Sequence, residues 1–469
     1  MFFKIFRLVS VLYISLKKNF ILLLKWQNLS VNRQIFSAAL IVATMTFAVK
    51  LISAAKEIAV AYFFGTDSAL DAFLIAFIIP SFAINVLAGS LITSLMPVYC
   101  QVKEKNSGAA IMLYSSSMAL CLIFLLGAAS FMASFATYIL PVLGSGFDEQ
   151  TLTLCRHLFY LLLVGVIFKG ATMMYSTVLN AEKKFAMVGI APACISLCTI
   201  LFLVFFHKNL GIYSLALGVL FGMFLEAVML AFWVSRSGLP VLPHWYGMNK
   251  HLKAVTGQYL PMVAGAFLMS STNLIDNSMA AMLAPGSVAS LNYGNKAIAL
   301  FLGLGSAALA TAVLPYFSDM AAKNNLASLQ HTWKKYSKLI FLVTLPLVVL
   351  IIFFSKEITA LFFQRGAFTY EDTHIVAEIQ SFYALQIPFY IIGIVQARLL
   401  SALKLNKILM WVSGFNLGIN ILGNLVLMHY LGLAGIALST SVVYFLSTAI
   451  IFFTLQKRLT VLQKNWMVR

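Results

Sequence analysis

The stretch "KLISAAKEIAVAYFFGTDSALDAFLIAFIIP" (residues 50–80) joins two apolar runs through a short polar break, GTDS at 65–68. A helix needs about 20 mostly apolar residues to cross a bilayer. The first run reaches that length only by carrying Lys50, Lys56 and Glu57, and the second carries Asp71 near its start. Working outward, the same alternation of long apolar run and short break continues along the chain. It predicts twelve spans at roughly 35–64, 68–98, 109–141, 152–180, 186–206, 211–234, 254–282, 287–315, 337–354, 373–403, 408–429 and 432–455. With 61% hydrophobic and 10% charged residues and a mean hydropathy of +0.94, the composition excludes a soluble globular domain. An all-α polytopic membrane protein is expected.

The net charge of +18 could suggest a nucleic-acid partner, but its distribution argues against one. In the connections and at the span ends beside them, one side holds only Arg156, Lys208, Lys356 and Arg365, and the opposite side holds all the other basic residues that do not lie within spans. Basic loops stay on the cytoplasmic side, which puts both termini in the cytoplasm. The excess also favours anionic lipid headgroups. Residues 1–34 are apolar but broken by lysines before spanning length accumulates, as expected of a basic amphipathic helix lying in the interface. The five cysteines, Cys100, Cys121, Cys155, Cys194 and Cys198, form no metal-like cluster, and free cysteine packs as a small hydrophobe.

The chain also resembles itself. "FYLLLVGVIFKGATMMYSTVLNAEKKFAMVGIAP" (159–192) is similar to "FYALQIPFYIIGIVQARLLSALKLNKILMWVSG" (382–414), and "NLGIYSLALGVLFGMFLEAVMLAF" (209–232) to "YLGLAGIALSTSVVYFLSTAIIFF" (430–453). The offset stays near about 220 residues, or six spans. Because six is even, both halves insert in the same orientation, related by an axis along the membrane normal, an arrangement suited to alternating access. The expected organisation is an N-terminal segment 1–34, a six-helix lobe 35–236, a cytoplasmic linker 237–253, a second lobe 254–456 and a basic tail 457–469, with a central cavity between the lobes. A monomer is expected.

Ionisable groups within spans are functional candidates because an unpaired charge at mid-bilayer costs several kcal/mol. They are Lys50, Lys56, Glu57, Asp71, Lys169, Glu226, Asp276, Lys296, Glu378 and Arg398, of which Glu378 and Arg398, near span ends, read as ion-paired or snorkelling groups. Lys50 and Glu57, seven residues apart, share one helix face, and Lys56 lies about 120° around from Lys50. The repeat places Lys50, Lys56, Glu57 and Asp71 opposite Asp276 and Lys296. A dry-walled cavity rich in lysine favours an anion such as a phosphate group. Lys169 and Glu226 show no evident partner in the sequence. Asn416, Asn420 and Asn424 form a helical stripe that suits either interhelical hydrogen bonding or a cation site built from amide oxygens.

The residues that carry these charges resemble the MurJ/MviN group of lipid II flippases, in the superfamily that includes Wzx-type flippases and MATE exporters. "TMTFAVKLISAAKEIAVAYFFGTDSALDAFLIAFIIPSFAINVLAGSLITSLMPVY" (44–99) follows that family's first two spans, "VLNAEKKFAMVGIAP" its turn between spans 4 and 5, and "LNYGNKAIALFLGLGSAALATAVLPYFSDMAAKN" its span 8. The resemblance implies a flippase moving an undecaprenyl-diphosphate-linked saccharide through a cationic cavity. It assigns the cavity's basic positions to Lys50, Lys56 and Lys296, its acidic positions to Glu57 and Asp71, and a further lining position to Asn85. All three basic positions are lysine where the family usually has arginine. Ile84 and Asn85 stand where it has an arginine pair, and the chain ends shortly after span 12 where the family has fourteen. Beside lipid II, which the resemblance implies, these departures point to another lipid-linked glycan, such as an exopolysaccharide or O-antigen repeat unit.

Two other readings compete. A MATE-like exporter coupled to Na+ or H+ would need an acidic or aromatic cavity, with Glu226 or Asp276 carrying it. A membrane enzyme acting on lipid-linked sugars would need acid/base groups on a sizeable outer loop. Here the loops are short, and Asp148, Glu149, Glu371 and Asp372 read as helix starts. No Walker motif is present, so no ATP and no other cofactor is expected, and an ion gradient or the membrane potential would drive transport.

Overall fold

The computed structural model describes residues 31–322, 326–403 and 405–467. The expected interfacial helix at 1–34 falls almost wholly outside them, and so does the very end of the basic tail. Among the described residues the regular structure is all helix, and a non-helical stretch joins Arg236 to Lys250. The first half comprises α1 (Val31–Phe64), α2 (Ser68–Ala83), a π-helical turn (Ile84–Ala88), α3 (Gly89–Lys105), α4 (Ser107–Ser134), α5 (Ala136–Leu143), α6 (Glu149–Ala181), α7 (Phe185–Ile190), α8 (Ala193–Leu210) and α9 (Ile212–Arg236). The second comprises α10 (Lys250–Ala280), α11 (Ser287–Ala322), α12 (Leu326–Phe353), α13 (Ser355–Phe363), α14 (Tyr370–Ala384), α15 (Ile387–Ala402), α16 (Asn406–Leu431) and α17 (Leu433–Met467).

Among the described residues, nine helical segments are long and apolar enough to cross a membrane by themselves. With α1, α10 and α11 they account for the twelve expected spans. Three spans are jointed rather than continuous. The π-helical turn separates α2 from α3 after Pro80, Pro192 separates α7 from α8, and Pro388 lies in the first turn of α15. Proline lacks the N–H that would continue the ladder, so it marks starts and kinks. The carbonyl of Leu87, in the π turn, accepts a hydrogen bond from the Tyr259 hydroxyl of α10 at 3.2 Å.

The repeat is a property of the backbone as well as of the sequence. Left-handed residues recur at one interval, Gly65 with Gly286 (φ +54° and +87°) and Gly211 with Gly432 (φ +51° and +57°). The short helices α5 and α13 occupy matching places, as do the starts of α6 and α14. Both of those starts are acidic caps. Asp148 accepts from the Thr151 N–H at 3.2 Å, and Thr369 and Asp372 form a capping box. Thr151, through its side chain and its backbone N–H, holds the Asp148 carboxyl below its ordinary value.

Within each lobe, small residues let helices approach closely. A Cβ on Gly222 of α9 would sit 2.5 Å from the Ile195 backbone of α8, and one on Gly435 of α17 would sit 2.2 Å from the Leu427 carbonyl of α16. Between lobes, α10 packs on α2 and α3, and α11 packs on α2.

Candidate functional site

The two lobes close against each other at one end of the bundle, and symmetry-related contacts make the seal. The Ala367 N–H donates to the Tyr62 carbonyl at 2.9 Å. A Cβ on Gly366 would lie 2.3 Å from that carbonyl, and one on Gly146, in the corresponding loop of the first half, would lie 2.3 Å from the carbonyl of Ala281. A Cβ on Gly65 would lie 2.5 Å from the Ala367 carbonyl oxygen, and one on Gly286 2.2 Å from that of Thr66. The Thr66 hydroxyl donates to Asp372. Side chains larger than hydrogen do not fit there, so the glycines set how closely the lobes approach.

Asp71 is the centre of this seal. Its carboxylate is 1% exposed and accepts from the N–H groups of Gly286 and Ala289, both at 2.7 Å. These are two of the unsatisfied donors at the start of α11, where the helix dipole also favours a negative charge. Asp71, from the first lobe, thus caps a helix of the second.

Next to the seal, Glu57 of α1 lies between two lysines. Lys56 Nζ approaches it at 2.7 Å and Lys296 of α11 pairs with it. The Glu57–Lys296 pair crosses from one lobe to the other. A cavity of about 450 Å³ opens here, lined by Lys50, Ser53, Glu57, Pro192, Lys296 and Phe363 among others. A second, of about 370 Å³, lies on the other side of the Glu57 cluster, with Lys56, Glu57, Lys169, Asn292 and Lys296 on its wall. Lys50 reaches α11 as well, since a Cβ on Gly303 would lie 3.4 Å from its Nζ. Three lysines against one glutamate leave the site with a net positive charge, placed where the lobes meet.

The other expected site residues are placed differently. Asp276 does not face Lys50 or Glu57. It is buried inside the second lobe, where it accepts from Asn420 and Asn424 at 2.9 and 2.7 Å and from the Thr440 hydroxyl at 3.2 Å. Asn416 stands apart from that cluster and donates to Ser447 at 3.2 Å. Lys169 and Glu226, which lacked an evident partner, are each other's, at 2.9 and 3.1 Å across α6 and α9. Asn85 is exposed on the π-helical turn and lines none of these cavities. Sequence reasoning missed a polar chamber beside Asp276, lined by Asn273, Asn277, Asn292, Asn295, Gln386 and Tyr390 among others. Its signal was amides at helical spacing in otherwise apolar runs.

Among the described residues, no group of three or more His, Cys, Asp or Glu side chains could hold a metal ion. Around Asp276, however, the side-chain oxygens of Asn420 and Asn424 are buried without a hydrogen-bond partner. One carboxylate, two amide oxygens and the Thr440 hydroxyl are donors of the kind that a hard cation takes.

Known proteins are similar along almost the whole chain. The model of the family described as lipid II flippase MurJ matches residues 60–468. A probable lipid II flippase MurJ from Helicobacter pylori is 29% identical over 407 residues, covering 79% of this chain and 84% of the relative. Two solved structures share the fold. One is a lipid II flippase MurJ in an inward closed conformation (TM-score 0.78, 23% identity, 92% of this chain and 91% of that one). The other is an inward-facing multidrug resistance MATE family transporter of the MOP superfamily (TM-score 0.75, 15% identity, 91% and 99%).

Proposed function

The chain belongs to the lipid II flippase MurJ family, a family of membrane transporters rather than enzymes, and from that premise we propose that its lysine cavity carries the diphosphate of an undecaprenyl-diphosphate-linked saccharide of the lipid II class across the bacterial inner membrane. The observation that carries this reading is the Lys50, Lys56, Glu57, Lys296 cluster, which is cationic and built from both lobes. An anion entering it competes with Glu57 for Lys56 and Lys296. Because Lys296 sits on the opposite lobe from Glu57, that competition exchanges an interlobe ion pair for a bridge through the substrate. The substrate charge and the closure of the lobes are thereby linked, as alternating access requires. Lysine supplies a point charge with three rotatable donors rather than the planar fork of arginine. It therefore grips a diphosphate with less geometric selectivity.

The sealed end, marked by Asp71, Gly286 and Gly366, is assigned to the periplasm because its loops are poor in basic residues. Both termini are then cytoplasmic, and the cavity loads from the inner leaflet. The two lobes, 35–236 and 254–456, rock about the cavity, joined through the 237–253 linker. Asp276, Asn420, Asn424 and Thr440 would hold a monovalent cation, Na+ or a proton, within the second lobe, and the unpartnered oxygens of Asn420 and Asn424 support this. Bound there, it would supply positive charge to a buried carboxylate, and the local residues would turn their amides toward it.

The test is translocation in proteoliposomes. A fluorescent undecaprenyl-diphosphate saccharide should be flipped by the wild type, while Lys296→Ala and Lys56→Ala insert normally and do not flip it. Normal rates in both variants would overturn the cavity assignment.

A further inference from the structure

The lysine cavity accounts for a diphosphate but not for what the diphosphate carries, and the chamber beside it has the chemistry to do so. Resting on the flippase reading above, we propose that the polar chamber in the second lobe is a saccharide subsite, receiving the first sugar ring of the lipid-linked substrate while its diphosphate rests at Lys296.

The chamber has a volume of about 280 Å³, enough for one hexose ring with an acetamido arm. Its lining contains amides, hydroxyls, one carboxylate and no cationic side chain, in contrast to the two lysine-bearing cavities. Uncharged amides and hydroxyls recognise neutral polyhydroxyl groups, and aromatic rings take the apolar face of the sugar. The rings of Tyr390 and Tyr444, both on the wall, meet edge to face with centroids 5.2 Å apart.

The hydrogen bonds inside the chamber leave capacity pointing into it. Asn292 donates to the Asn277 carbonyl oxygen at 2.7 Å, and Asn277 donates to that of Asn273 at 2.6 Å. Asn292 and Asn277 spend their remaining amide hydrogens on the Val288 and Asn273 backbone carbonyls. Among the described residues, the relay therefore ends with an unspent amino group on Asn273 and an unspent carbonyl on Asn292, one donor site and one acceptor site. Gln386 lines the chamber as well, and a side-chain amide on its wall can both donate to and accept from an acetamido or hydroxyl group placed there.

Position links the two sites. Asn292 is on the wall of the chamber and also of the cavity that holds Lys56, Glu57 and Lys296. Asn292 and Lys296 are one turn apart on α11, about 6 Å along its axis. That matches the offset between a phosphate and the sugar ring esterified to it. Asn295, on the same helix, faces the chamber as well.

The experiment compares two ligands in detergent-solubilised protein by equilibrium binding, undecaprenyl diphosphate and undecaprenyl-diphospho-N-acetylhexosamine. The wild type should bind the sugar-bearing lipid more tightly. Gln386→Leu and Asn273→Ala should each weaken it by about tenfold and leave the sugar-free diphosphate unchanged, which also shows that the variants are folded. Lys296→Ala should weaken both ligands. If the sugar adds no affinity in the wild type, or if both amide variants retain it, the subsite is refuted while the cationic cavity stands. If neither lipid binds the wild type, the flippase reading itself fails.

Discussion

Replacing Asp71 by asparagine tests the seal most sharply, because the change keeps the side chain's shape and removes only its charge and one acceptor. The native carboxylate accepts from two N–H groups at 2.7 Å in a site with almost no exposure. Asparagine can accept from one of them, and its amino group must then face the other donor. Losing one charge-assisted hydrogen bond costs about 1.5–3 kcal/mol. Removing the negative charge from the α11 N-terminus costs about 0.3–1 kcal/mol more. The sealed state should thus lose about 2–4 kcal/mol against any state in which the lobes have parted at this end. At 2 kcal/mol the ratio shifts about 30-fold, so an open fraction of about 1% becomes about a quarter. Spin labels at Gln150 and Glu371, both exposed near the seal on opposite lobes, read the separation by double electron–electron resonance. The wild type should give one dominant short distance, and the Asp71→Asn protein an additional longer one. Superimposable distance distributions would refute the capping argument.

Gly286→Ala should act in the same direction, because its φ of +87° disfavours a Cβ and that Cβ would meet the Thr66 carbonyl at 2.2 Å; Gly211→Ala, at φ +51° but in open space, should leave the label distance unchanged. Lys169→Met alone strands Glu226 in the first lobe and should cost about 3–5 kcal/mol in detergent unfolding. The Lys169→Met/Glu226→Leu double variant should recover most of that loss. Asp276→Asn should abolish any dependence of flipping on a Na+ or proton gradient while leaving binding of sugar-free undecaprenyl diphosphate intact, as a paired gradient and binding assay would show.

The architecture was legible because it rests on strong, repetitive signals. Apolar run length set the spans, and an even offset set the relation of the halves. The basic loops gave an orientation that the fold can accommodate. Within α1 the spacing put Lys50 and Glu57 on one face and Lys56 beside Glu57, whereas the meeting of Glu57 with Lys296 depends on how α11 packs against α1. Partners on different helices were not legible. Helical periodicity says which residues share a face but not what that face meets, so Lys169 and Glu226, on α6 and α9, appeared solitary. For the same reason Asp276 was expected opposite Lys50, whereas the rotation of α10 turns it inward to Asn420 and Asn424. Asp71 was read as a cavity charge, but it caps the backbone of another helix, and free N–H groups leave no mark in a sequence.

Native mass spectrometry on purified protein tests the central claim most directly, comparing the wild type with Lys56→Ala and Lys296→Ala. The account predicts a co-purifying undecaprenyl-diphosphate saccharide on the wild type, its mass naming the glycan, and its loss from both variants. Lipid retained equally by all three proteins, or a wild type that holds no diphosphate lipid when it is supplied, would contradict it.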